Sequence, residues 1–150
     1  MLSVRWILVI IQRVFYVLTA GEWPPFASVA VVVRDGEKVL MIQRSDGQGY
    51  GLPGGYIKLH EKCEDAGVRE VREETGYEVE LTRIAGILSG VRKGTYVRAL
   101  DVVYEAKIVG GDLRPSLEGE GMWVNPDEVR DQIAFDYVEI LDKLAAESPL

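Results

Sequence analysis

The stretch GYIKLHEKCEDAGVREVREETGY, residues 55 to 77, decides how this chain is read. Its second half predicts a helix from about Glu64 to Thr75, closed by Gly76, a residue suited to the left-handed conformation of a helix C-cap. Glu70, Glu73 and Glu74 follow one another at spacings of three and four, so a helix carries them on one face within about 100° of arc. Like charges so placed repel, by roughly a few tenths of a kcal/mol per pair. They also crowd the negative end of the helix dipole. Apolar content is thin, with Val68 and Val71 supported by Ala66, and Gly67 in the interior costs about 1 kcal/mol relative to alanine. As a purely structural helix it is poorly built. As a platform for a hard divalent cation such as Mg²⁺ it is coherent. Three carboxylates supply oxygen ligands, and the ion cancels both the repulsion and the dipole penalty.

Working outward, FASVAVVVRDGEKVLMIQRS, residues 26 to 45, predicts two strands. The run from Ala27 to Val33 is almost wholly apolar, as for a strand covered on both faces, and Asp35-Gly36 supplies a hairpin turn. The glycine-rich DGQGYGLPGG, residues 46 to 55, reads as loop. Beyond the acidic helix, strands are expected at about 77–90 and 95–109, separated by the turn RKG at 92–94. GGDLRPSLEGEG reads as loop and MWV, residues 122 to 124, as a short strand. NPDEV at 125–129 predicts a helix start, with Asn125 as cap and Pro126 in the first turn. A final helix over about 132–146 is expected to bury Ala134, Val138, Leu141 and Ala145. The order β-β-α-β-β-β-α predicts a mixed sheet with helices on it.

The first twenty residues, MLSVRWILVIIQRVFYVLTA, read as an amphipathic helix. Val4, Ile7, Ile11, Val14 and Leu18 repeat at helical spacing, with Arg5, Gln12, Arg13, Tyr16 and Thr19 gathered opposite. Gln12 and Arg13 interrupt the apolar run, which argues against a membrane span and against a signal peptide. The apolar face is expected to pack on its own domain or on a partner subunit. Docking on a membrane surface, helped by the two arginines, is the alternative. GEWPP at 21–25 reads as a linker, which divides the chain into a helix at 1–20 and a domain at 21–150.

Bulk properties narrow the chemistry. A chain of 150 residues, 47% apolar and 27% charged, suits one globular domain with a real core. A net charge of −7 argues against nonspecific nucleic-acid binding. A single cysteine, Cys63, excludes an internal disulfide framework and makes a reducing cytoplasm the default. With His60 the only histidine, zinc sites built on His and Cys are disfavoured, and a Ser-His-Asp triad requires His60 at its centre. The chemistry must lean on carboxylates.

Residues 55 to 77 resemble the Nudix box, G-x5-E-x7-R-E-U-x-E-E-x-G-U, in which U is a bulky aliphatic residue. Gly55, Glu61, Arg69-Glu70, Val71, Glu73-Glu74 and Gly76 fall in place, and only Tyr77 departs, standing for an aliphatic. YGLPGG before the box and EGEGMWVNPDEV after it resemble Nudix flanks, so the likeness covers roughly residues 27 to 130. The resemblance implies an α/β fold of the α+β type, a Nudix-like mixed sheet sandwiched between helices, with the N-terminal amphipathic helix as an addition. It implies hydrolysis of a nucleoside diphosphate linked to another moiety. Glu70, Glu73 and Glu74, with the Gly55 carbonyl, would be the ligands of Mg²⁺, with Mn²⁺ as the alternative ion. It implies a brace between Glu61 and Arg69, and a general base drawn from the box glutamates or from a later acid, Glu118 or, preferred, Glu120. Tyr50, Lys58 and Arg92 are the candidate substrate contacts.

The departures lie in one loop. Lys58, His60 and Lys62 stand where family members often carry an acid, a glycine, and a serine or threonine. Lys62 thereby removes a usual helix cap, worth about 1 kcal/mol. The basic loop reads either as a phosphate contact or as ordinary exposed charge. Cys63 and Trp123 read first as packing residues. Neither an SQPWPFP array nor a proline about 15 residues after the box is present, so nucleoside triphosphates, ADP-ribose and nucleotide sugars all stay open as substrates. The rival reading is a Nudix-fold nucleotide-binding regulatory module without hydrolysis. A cytoplasmic homodimer is expected from the family and the apolar N-terminal helix.

Overall fold

The computed structural model describes residues 4–21, 25–91, 98–117 and 119–147. Its centre is β1, Phe26–Asp35, the expected doubly covered strand. Val29 to Val33 are all buried, and alternation sends them to different cores. Ala30 and Val32 enter one core; Val31 and Val33 enter another on the opposite face. A hairpin turn at Gly36, φ 57°, leads into β2, Lys38–Arg44, as the Asp-Gly signal predicts.

Two short strands follow where the sequence reads as loop: β3, Tyr50–Gly51, pairs with β2, and β4, Gly54–Tyr56, pairs antiparallel with β1. The partner of β4 is distant in sequence, and Val31 N donates to Pro53 O at 2.8 Å, so no local pattern announces that strand. The acidic helix, α2, is Cys63–Thr75. Then β5, Tyr77–Val91, runs antiparallel to β6, Arg98–Gly111, and β6 lies parallel to β1 from the Phe26–Ala99 pair to the Val33–Ala106 pair. The expected turn at 92–94 lies outside the described residues. Among the described residues, strand β7, Gly119–Val124, completes a mixed seven-stranded sheet against β2.

Helices cover both faces. Val71 of α2 packs with Val31, Val33 and Leu40. On the other face a C-terminal helix, α3, Tyr137–Glu147, packs Ile140, Leu141 and Leu144 on Ala30, Val32, Met41 and Val103.

The C-terminal region corrects two expectations. No α-helix starts at NPDEV: Asn125 Oδ1 accepts from Asp127 N at 3.1 Å, but the chain continues as successive turns and a 3-10 turn at Arg130–Gln132. Residues 133 and 134 then run extended, Ala134 N donating to Tyr50 O at 2.7 Å, and Phe135 adopts φ 60°. Helix α3 therefore begins only at Tyr137, with Ala134 buried ahead of it and Ala145 exposed.

The N-terminal helix, labelled α1, spans Val4–Leu18 as read, but its orientation is corrected. Ile7, Ile11, Val14 and Leu18 are exposed, while Val9 is buried. Gln12, from the expected polar side, is the anchor. Its Nε2 donates to Arg98 O at 3.0 Å, and Arg98 N donates to its Oε1 at 3.1 Å. A carboxamide satisfies both backbone groups at the start of β6, which an apolar side chain cannot do. Among the described residues no helix is long and apolar enough to cross a membrane.

Candidate active site

Helix α2 lies close on β1 because Gly67 faces it: a Cβ there would come within 3.3 Å of Val31 Cγ2. The glycine that weakens the helix by propensity thus permits its packing. The helix starts without a side-chain cap at Lys62, whose backbone is extended. It ends at Gly76, φ 80°, whose N donates to Arg72 O at 3.0 Å.

This placement turns Glu70 and Glu74 inward, 8% and 6% exposed, and leaves Glu73 at the margin, half exposed. Buried carboxylates need partners. Glu74 Oε2 accepts from Gly54 N at 2.8 Å. Gly55 sits against Glu70, where an added Cβ would lie 2.6 Å from Oε1. The two acids one helical turn apart therefore clasp the β4 backbone, and only bare Cα atoms let the strand approach so closely.

Arg69 is the hub of the cluster. Its Nε and Nη2 form a fork on Glu61, at 2.6 and 2.8 Å. Its Nη1 donates to Glu70 Oε1 at 2.6 Å and to Glu73 Oε2 at 3.1 Å, and Nη2 reaches Tyr56 O at 3.4 Å. The Arg69 hydrogen bonds, helped by one from Lys58 N, hold the Glu61 carboxyl at about 2, against an ordinary 4.5. Arg69 is in turn held charged, chiefly by Glu61 and then by Glu70. The loop carrying Glu61 and the helix carrying the acids are thus tied through one guanidinium.

The donor set fits a hard divalent ion: carboxylate oxygens, two of them buried, beside a backbone carbonyl at a glycine that no side chain shields. As placed, these carboxylates answer Arg69 and Gly54 N. Among the described residues no three acid, histidine or cysteine side chains converge as a ready-made cage.

Glu74 opens onto a cleft of about 320 Å³ that is also lined by Gly54, Arg44, Asp46, Phe135 and Tyr137. Arg44 is forked on Asp46, at 3.1 and 2.7 Å, and lies 5.1 Å from the Phe135 ring centroid. Phe135 meets Tyr137 edge-on at 5.5 Å, and its left-handed backbone is unusual for a bulky residue. Sequence reading missed Arg44 and Phe135. The proximity of Arg44 to Asp46 is visible in the sequence, but nothing local signals the conformation of Phe135. A second hollow, of about 330 Å³, lies at the other end of β2, beside Val39 and α3. Its arginines, Arg34 and Arg130, are paired with Glu105 and Asp142, and none of the box acids lines it.

The remaining candidates lie apart. Glu120 sits on β7 opposite Gln43 and is exposed. Its neighbour Gly121 faces Thr75 of α2, so alternation turns Glu120 to the opposite face of the sheet. Tyr50 packs against the α3-side core. Lys58 and His60 are exposed, and Cys63 and Trp123 are packing residues. Arg92 and Glu118 lie outside the described residues.

Residues 24–144 match the model of the NUDIX domain. A MutT-like protein of Streptomyces ambofaciens is 37% identical over 131 residues, 84% of this chain and 82% of that protein. An ADP-ribose pyrophosphatase of Methanocaldococcus jannaschii is 26% identical over 120 residues, 78% of this chain and 71% of that one. Among solved structures, a NUDIX hydrolase from Nitrosomonas europaea superposes with a TM-score of 0.74 at 22% identity, covering 83% of this chain and 90% of that chain, a likeness of fold.

Proposed function

The chain belongs to the Nudix pyrophosphohydrolase family, and from that premise we propose that it hydrolyses the diphosphate linkage of a nucleoside diphosphate joined to a further moiety, with Mg²⁺ or Mn²⁺ bound at α2. The single observation that carries this reading is the pair of buried carboxylates, Glu70 and Glu74, clasping the bare backbone of Gly54 and Gly55 beside an open cleft.

Glu70, Glu73, Glu74 and the Gly55 carbonyl would hold the ion. When bound, a divalent ion neutralises and orients the diphosphate and lowers the pKa of an attacking water. The chain's own part is positional and protolytic. The Glu61–Arg69 fork fixes loop against helix, so that the acids keep their places. Water attacks one phosphorus, the bridging P–O bond breaks, and the water's proton passes to a carboxylate. Glu74, the box acid that lines the cleft, takes that role in preference to Glu120, which faces away. Arg44 and Phe135 wall the same cleft and would meet the substrate's phosphate and its aromatic base respectively.

A second reading, a nucleotide-binding module without hydrolysis, is favoured by one observation: Arg69 already neutralises Glu70 and Glu73. Incubation with Mg²⁺ and a panel of nucleoside triphosphates, ADP-ribose and nucleotide sugars, with products identified by mass, separates the two. The hydrolase reading expects cleavage at the diphosphate of at least one compound, reduced at least about a hundredfold in Glu74→Gln. Binding of a panel compound without cleavage would favour the module.

A further inference from the structure

We propose that α1 docks the protein on an anionic lipid surface, lying in the plane of the headgroups. Around the helix, Trp6, Val17, Ile10, Val14, Leu18 and Phe15 succeed one another over roughly half the circumference. All six are exposed, Val17 and Leu18 by 76% and 73%. No charged residue falls within that arc; Arg13 borders it. The domain holds α1 from the other side, through Val9 and the Gln12 hydrogen bonds to Arg98. The apolar arc is therefore directed away from the protein's own core.

Charge selects the occupant. Residues 1–21 contain Arg5 and Arg13 and no acid, so they carry +2 and the rest of the chain −9, together −7. A copy of α1 laid on this face offers no acid to Arg13. Anionic headgroups meet Arg13 at the border of the arc while acyl chains take the apolar residues. Trp6, exposed at the edge of the arc, is a side chain that settles at such an interface. The 15 residues of α1 extend about 22 Å, short of a hydrocarbon core of about 30 Å, so the helix lies on the bilayer instead of crossing it.

The inference is independent of the hydrolase reading. The full chain would be sedimented with vesicles of phosphatidylcholine alone and with vesicles containing phosphatidylglycerol. The expected result is co-sedimentation with the anionic vesicles, weakened by salt, reduced about fivefold by Arg13→Gln and about tenfold by Val14→Glu. Leu18→Ser is the second variant should Val14→Glu lower the melting temperature. Failure to sediment with anionic vesicles would overturn the proposal. So would a lipid-free dimer in light scattering that Val14→Glu returns to monomer, because a second copy would then cover the face.

Discussion

Arg69 shows how one residue reconciles charges that the sequence presents as a conflict. Three acids at the negative end of a helix repel, yet a guanidinium bonded to Glu61, Glu70 and Glu73 compensates them. The acidic set and its helical spacing were legible in the sequence, because they are local. The inward turn of Glu70 and Glu74 was not, because it depends on β4, a strand that exists only through pairing with β1. Glu61 gives a pH signature. Its folded pKa of about 2 lies below the ordinary 4.5, so its contribution to stability is fully present above about pH 4.5 and is lost as pH falls toward 2. Urea midpoints measured across that window should fall for the native protein, and Glu61→Gln should flatten that decline. Lys62 gives a second prediction. It occupies the N-cap without a side-chain bond, so Lys62→Ser should stabilise the fold by about 1 kcal/mol, roughly 2–4 °C in thermal melting.

At the scale of elements, turns with their own chemistry were readable and turns set by tertiary pairing were not. The β1–β2 hairpin followed from Asp35-Gly36, and the end of α2 followed from Gly76. Gly76 has φ 80°, and a Cβ there would lie 2.5 Å from Asp112 O. Gly76→Ala is expected to cost at least about 1–2 kcal/mol from conformation alone, with the backbone clash adding to it, as measured by chemical denaturation. The segment from Asn125 to Asp136 defeated local reading for a physical reason. Asn125 Oδ1 does accept from Asp127 N, but it closes a turn and no helix follows, because Ala134 pairs with Tyr50 and holds the chain extended until Phe135 turns it into α3. The face of α1 was inverted in the same way. Periodicity placed its apolar stripe on the core, whereas a polar residue, Gln12, made the bonds that the start of β6 required.

At the scale of the molecule, a mixed sheet covered by α2 and α3 brings the loop after β2, the end of α2 and Phe135 to one cleft. The family and the reaction class were legible because the box is contiguous, with its spacing fixed by one loop and one helix. Arg44 and Phe135, from elements far apart in sequence, became visible only in the fold. On the proposed function the acids of α2 are kept for a divalent metal. Calorimetric titration of the metal-free full chain with Mn²⁺ and Mg²⁺ tests it most directly. Saturable binding that is lost in Glu70→Gln, with the fold intact by circular dichroism, is the predicted result. Absence of binding to the native chain, or binding unchanged in Glu70→Gln, would contradict the account.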